Sequence, residues 1–163
     1  MANRANISYH IQNQLADRNG ISAGKILEKE VTLTNAELKA LNTTAKELVA
    51  APGSGKLIEF VSAVLFLDVG SEVLSESADN LDIEYDDGTG PAVCTTIECT
   101  GFIDQAVDQI MVAPAIVVAG TNTASSAVNK NLVLLSNDGD FGGNASADAI
   151  MVVKVMYRIL DFN

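Results

Sequence analysis

Tryptophan is absent from the chain, histidine occurs once, and Phe and Tyr together make up only 5% of the 163 residues. A cleft that binds or processes sugars draws on aromatic rings as stacking platforms, and this sequence is poorly supplied with them. The one histidine, His10, stands near the start of the chain and reads as a solvated residue. No Ser or Cys nucleophile elsewhere therefore has an imidazole base to activate it, and no hydrolase triad can be assembled. Cysteine is equally scarce. Cys94 and Cys99, in AVCTTIECTGF, lie five apart on what reads as one strand, where odd spacing points them to opposite faces. They are expected to be two buried or half-buried thiols in a reducing compartment, since a metal site needs a closer pair and further ligands.

Basic residues are the third shortage, 10 Lys and Arg against 21 Asp and Glu for a net charge of −11. Affinity for DNA or RNA comes from Lys and Arg displacing counterions, so no nucleic-acid partner is expected. The same field disfavours an anionic membrane surface, and no run approaches the roughly 20 apolar residues of a spanning helix, so no membrane association is expected. The opening MANRANISYHIQNQLADRNG also lacks the apolar core of a signal peptide, which predicts a soluble protein not exported by the usual route.

What is present is apolar material, 48% of the residues, enough for a single folded domain. Residues 1–24 read as a polar N-terminal arm ahead of a domain over 25–163. The arm is rich in Asn, Gln and Ala and has only scattered apolar positions, Ile7, Tyr9, Ile11 and Leu15. From Lys25, KILEKEVTL alternates as a strand, and TNAELKAL places Thr34 three residues before Glu37, a capping box opening one short helix that ends near Asn42 and Thr43. KLIEFVSAVLFLDVG carries apolar residues on both faces, as a central strand does, with a bend expected near Ser62 and Ala63. NLDIEYDDGTGP puts Leu81, Ile83 and Tyr85 inward and Asp82, Glu84 and Asp86 outward before an Asp-Gly turn. Further strands are expected over Val93 to Phe102, Ile110 to Val118 and Leu132 to Leu135. The last strand sets Met151, Val153, Val155, Tyr157 and Ile159 against Lys154 and Arg158. Roughly eight strands with Gly, Asn, Asp and Ser turns, and no βα rhythm, predict a mainly β fold. The expected architecture is an antiparallel β-sandwich or jelly-roll-like domain with one short helix.

Two motifs invite a chemical reading. VAAPGSGKLIEF looks like a phosphate-binding loop, but the residue five before Gly55 is Ala50, the residue after Lys56 is Leu57, and a strand follows where a helix is required. The stretch reads instead as a turn set by Pro52 and Gly53, with Gly55 admitting the chain to the strand. The acidic loops offer Glu84, Asp86 and Asp87, and Asp138, Asp140 and Asp148, yet neither has the spacing of a calcium loop, and Asp and Gly are also what hairpin turns use. No catalytic residue, cofactor or metal site is predicted, and the profile is that of a structural or interaction protein.

VTLTNAELKALNTTAKELVAAPGSGKLIEFVSAVLFLDVGS, then NLDIEYDDGTG, then NKNLVLLSNDGDFGGNASADAIMVVKVMYRIL resemble a group of small virion-associated proteins of tailed bacteriophages and prophages. The shared features are the turn at Pro52, Gly53, Gly55 and Lys56, the loop at Gly142, Gly143 and Asn144, and the close at Tyr157 and Arg158. Within that group the resemblance implies a capsid decoration (cement) protein, made in the host bacterial cytoplasm. Such a protein forms a homo-oligomer, a trimer, on the outer surface of the head and clamps neighbouring copies of the major capsid protein. Ile7, Tyr9, Ile11 and Leu15 would then be apolar anchors of a docking arm. A tail, baseplate or fibre module binding the host surface is the alternative. A virion hydrolase working through Glu84, Asp86, Asp87, Asp138 and Asp140 is the remote third.

Overall fold

A computed structural model describes residues 25–76, 80–116 and 123–163. Alternation builds the first element, β1 (Leu27–Thr34), and the capping box ends it: the Thr34 hydroxyl accepts from the Glu37 amide while the Glu37 carboxylate accepts from the Thr34 amide. The helix so opened, α1 (Asn35–Lys39), buries Leu38 and continues as a turn in which the Thr44 amide reaches the Ala40 carbonyl at 2.7 Å. The Glu37 carboxylate also receives the Lys46 ammonium, and this bond, then the Thr34 amide, holds its pKa down from 4.5 to about 2. The folded-state pKa is depressed, so the interaction stabilises the fold above the ordinary carboxylate range and fades as pH falls from 4.5 toward about 2. An NMR titration is expected to place the Glu37 midpoint near 2. Lys46→Met is expected to move that midpoint back up; an unmoved midpoint would show that the ammonium is not its cause.

The strands that follow are β2 (Lys46–Val49), β3 (Lys56–Asp68), β4 (Leu74–Ser75), β5 (Leu81–Tyr85), β6 (Gln109–Pro114), β7 (Leu132–Ser136), β8 (Gly142–Gly143) and β9 (Ile150–Asp161). They form a four-stranded sheet in the order β1-β9-β3-β6 and a three-stranded sheet in the order β2-β7-β5, with a small β4-β8 pair beside them. Every pairing is antiparallel. Residues 91–97 run along the free side of β5: Ile97 and Leu81 exchange hydrogen bonds at 2.8 and 3.0 Å, and the Val93 amide reaches the Ile83 carbonyl at 2.9 Å. With this irregular segment included and the small β4-β8 pair set aside, first pairs with last, second with second-last, and so inward, as β1 with β9, β2 with β7, β3 with β6 and β5 with 91–97. That nested antiparallel order is the jelly roll, and the expected mainly β sandwich with one short helix is what the chain forms.

The core lies between the sheets. Leu33, Ile58, Ala63, Leu65, Leu67, Met151, Val153 and Val155 face Leu48, Leu81, Ile83, Leu132 and Leu134, with Phe102 and Ile103 closing one side, all buried. The bend expected near Ser62 is a register shift between Phe60 and Ser62, where β3 carries one extra residue against β9. At the Pro52 turn, Gly53 and Gly55 have φ of +103° and +70°, and β3 starts directly at Lys56, so the loop is a turn into a strand.

Four local expectations are corrected. Val93 to Phe102 is not a strand: only single bridges join it to its neighbours, and the chain turns at Cys99, whose carbonyl accepts from the Phe102 and Ile103 amides. Cys94 and Cys99 are thus freed from strand alternation, and both are buried, as expected of them. Asp82, expected outward into solvent, is only 7% exposed because the 137 loop covers it and the Asn137 amide donates to its carboxylate at 2.8 Å. Ile159, expected on the inward face, is 37% exposed, lying beyond the bulge near the end of β9. The strand expected over Ile110 to Val118 is β6, which stops at Pro114; Val117 and Val118 lie outside the described residues.

Candidate functional site

The predicted anchors Ile7, Tyr9, Ile11 and Leu15, and His10, lie outside the described residues. The acidic residues are dispersed among structural tasks. Asp86 pairs with Lys130 at 2.8 Å and Asp87 accepts from the Asn131 amide at 2.7 Å. Asp140 accepts from the backbone amides of Asn42 and Thr43 at 3.1 and 3.3 Å and so ties down the turn after α1. Asp148 accepts from the Ser71 amide at 3.0 Å and from Asn144 at 3.1 Å, and these bonds, Ser71's first, hold its pKa below the usual carboxylate value. Burial, then the nearby Asp82 charge, pushes Glu84 up. Among the described residues no three His, Cys, Asp or Glu side chains cluster as metal ligands would.

A cleft of about 240 Å³ opens between the two sheets where β6 ends, lined by Leu57, Glu59, Phe60, Tyr85, Val93, Ala115 and Ile116. Its Tyr85 and Glu59 side chains each face a partner, although Glu59 Oε2 makes no hydrogen bond. The Tyr85 hydroxyl donates to the Ile58 carbonyl, and Glu59 faces Arg158 at 3.4 Å. Burial, then the Glu59 charge, pushes the Tyr85 phenol up to about 12, so it stays protonated at neutral pH and offers no base.

A distinctive surface among the described residues is the outer face of the four-stranded sheet. Register sets its rows: Thr32, Val152, Phe66 and Ile110 across one, Glu30, Lys154, Val64 and Val112 across the next. The β1 half is charged, with Lys154 at 3.2 Å from Glu30 and 3.8 Å from Glu28. The β6 half is apolar and open, with Phe66 40%, Ile110 66% and Val112 60% exposed. Sequence reading took the apolar residues on both faces of β3 as the mark of a central strand. It is central within its sheet, yet only its inner face is covered by described residues. The signal that was available, and missed, is that QIMVAP and KLIEFVSAVLFLD both carry apolar residues at the positions facing away from the core.

No family model matches the chain, and no curated protein matches its sequence. Among solved structures, a chain in the capsid of Ralstonia phage GP4 overlaps 83% of this chain and 84% of its own length, at TM-score 0.36 and 13% identity. A Nora virus chain overlaps 82% of this chain and 55% of its own length, at TM-score 0.31 and 12% identity. A family two carbohydrate esterase from Cellvibrio japonicus overlaps 84% and 36%, at TM-score 0.28 and 10% identity. Overlaps of this extent, between sequences this different, carry no inference about what the chain does.

Proposed function

We propose that the chain is a structural protein of the virion: a capsid decoration (cement) protein that binds the outer surface of a tailed-phage head as a trimer and holds neighbouring major capsid protein subunits together. The observation that supports this reading is where the motifs shared with small phage virion proteins fall. The Pro52–Lys56 turn leads into β3, Gly142–Asn144 spans β8 and the residue after it, and Tyr157 and Arg158 lie within β9 beside β3, so all three belong to the framework of one jelly roll. A domain of this kind offers broad faces for docking, and its acidic groups are engaged in holding loops together. Net charge of −11 is tolerable on the outside of a shell, because the packaged DNA lies on the other side. The protein is made in the host bacterial cytoplasm, and the arm over residues 1–24, through Ile7, Tyr9, Ile11 and Leu15, gives it reach to a neighbour or to the shell.

Quantitative mass spectrometry of purified particles of the encoding virus tests the reading. The expected copy number is near that of the major capsid protein, since only a component repeating with the shell lattice is so abundant. A few copies per hundred capsid subunits would move the protein to the tail or a vertex, and absence from the particle would overturn the virion role.

A further inference from the structure

The two edges of the four-stranded sheet differ in chemistry. An exposed edge strand is a template for another chain, and proteins protect such edges with charge or proline. The β1 edge carries Glu28, Lys29 and Glu30. The β6 edge reads Gln109, Ile110, Met111, Val112, Ala113, Pro114, with no charge along it and its one proline at the very end. It also borders the exposed patch of Phe66, Ile110 and Val112. Among the described residues no strand pairs with the outer side of β6, and an unguarded edge beside an apolar face is the acceptor half of a strand-addition site.

We propose that this acceptor takes the N-terminal arm of a second copy of the chain, with Ile7, Tyr9 and Ile11 laid as a short strand along β6. Those three residues recur at every second position, the period that puts side chains on one face of a strand. A lone strand so short is not stable in water until it joins a sheet. Charge fits as well: residues 1–24 carry Arg4 and Arg18 against Asp17, a basic excess in a chain whose net charge is −11. Reach is ample, since the thirteen residues from Gln12 to Gly24 extend over about 40 Å at roughly 3.3 Å each.

Geometry favours exchange between copies. The arm leaves from β1, the edge opposite β6. Its own β6 lies on the far side of β9 and β3, whereas a neighbour set edge to edge receives it directly. The contact is head-to-tail, donor edge to acceptor edge, and closes into a ring when the rotation between copies allows. This gives the docking arm of the proposed function its partner, but the contact belongs to the isolated protein and stands or falls without the virion.

Light scattering on the full-length chain tests it. The wild type is expected at a multiple of the 17.1 kDa chain mass. Val112→Lys, at a position 60% exposed, removes the acceptor, and Tyr9→Asp removes the donor. Each is expected as a single chain that keeps a cooperative thermal transition, and Ile110→Lys serves in place of Val112→Lys if that variant does not fold. An equimolar mixture of Val112→Lys and Tyr9→Asp is expected to form a two-chain species, because the first keeps its arm and the second keeps its edge. A wild type of one chain, either variant retaining the wild-type mass, or a mixture that stays monomeric would overturn the proposal. Loss of oligomer in Val112→Lys alone would show instead that the apolar faces pack directly on each other. A copy number far below that of the capsid protein would remove the virion role and leave arm exchange untouched.

Discussion

Leu65→Ala is expected to cost about 3 to 4 kcal/mol of folding free energy, a large share of the roughly 5 to 15 kcal/mol that holds a domain of this size together. Leu65 is fully buried in the middle of β3, directly between Met111 of β6 and Val153 of β9. Its neighbours on three strands are fixed by their ladders, so the void left by three lost carbons cannot close by a small backbone shift. The cavity term therefore adds to the loss of transfer free energy. Denaturant unfolding measures the cost, with a fall in melting temperature of about 10 °C as its thermal counterpart. A loss below about 1 kcal/mol would show that the core can collapse around the site. Val64→Ala, one residue away on the outer face, is the control, and a much smaller loss is expected there.

Asn144→Ala is expected to cost about 3 kcal/mol, from a loop far from the centre of the sandwich. The residue is 2% exposed and sits at φ of 40°. Its side-chain amide donates to the carbonyls of Val69 and Glu72 at 3.0 and 2.5 Å and to Asp148 at 3.1 Å, while its oxygen accepts from the Asp148 amide at 3.1 Å. One side chain thus fastens the segment before β4 to the segment after β8. Alanine leaves buried carbonyls without donors and is strained in a left-handed conformation that asparagine tolerates. Asn144→Gly relieves the strain and not the lost bonds, so it should recover about 1 kcal/mol of the deficit. Hydrogen exchange at β4 and β8 should accelerate in both variants; unchanged protection there would show that the loop is held by other contacts.

The elements most legible in the sequence are those whose cause is local. The Thr34–Glu37 capping box, the turn at Gly53 and Gly55, and the alternation along Met151, Val153 and Val155 each follow from neighbours within a few residues, and each stands as expected. β2 was not legible: Lys46–Val49 is four residues long, too short for a period, and is a strand because β7 lies beside it. Residues 93–102 misled for the opposite reason. Their apolar content is that of a strand, but the chain here borders β5 and then turns at Cys99 to bring Phe102 and Ile103 into the core. Nesting of first with last and second with second-last is a property of distant pairs, so the sequence supports a sandwich but leaves the topology open. The apolar patch around Phe66 was missed because an outward-facing apolar row and an inward-facing one look alike until the second sheet is placed.

The pairing of β1 with β9 also sets the order in which this protein can mature. Residues 27–34 find their partner only in residues 150–157, and β9 is also the strand that joins β1 to β3. At a synthesis rate of about 5 to 20 residues per second, β1 waits several seconds to tens of seconds on the ribosome with no ladder to enter. The second sheet waits nearly as long, because its central strand β7 is made only shortly before β9, so the three-stranded half can assemble only just ahead of the four-stranded half, which still lacks the strand between β1 and β3. A nascent chain stopped before residue 150 therefore carries an open β3 flank beside the unguarded β6 edge, and it is in that interval that aggregation competes most strongly with folding.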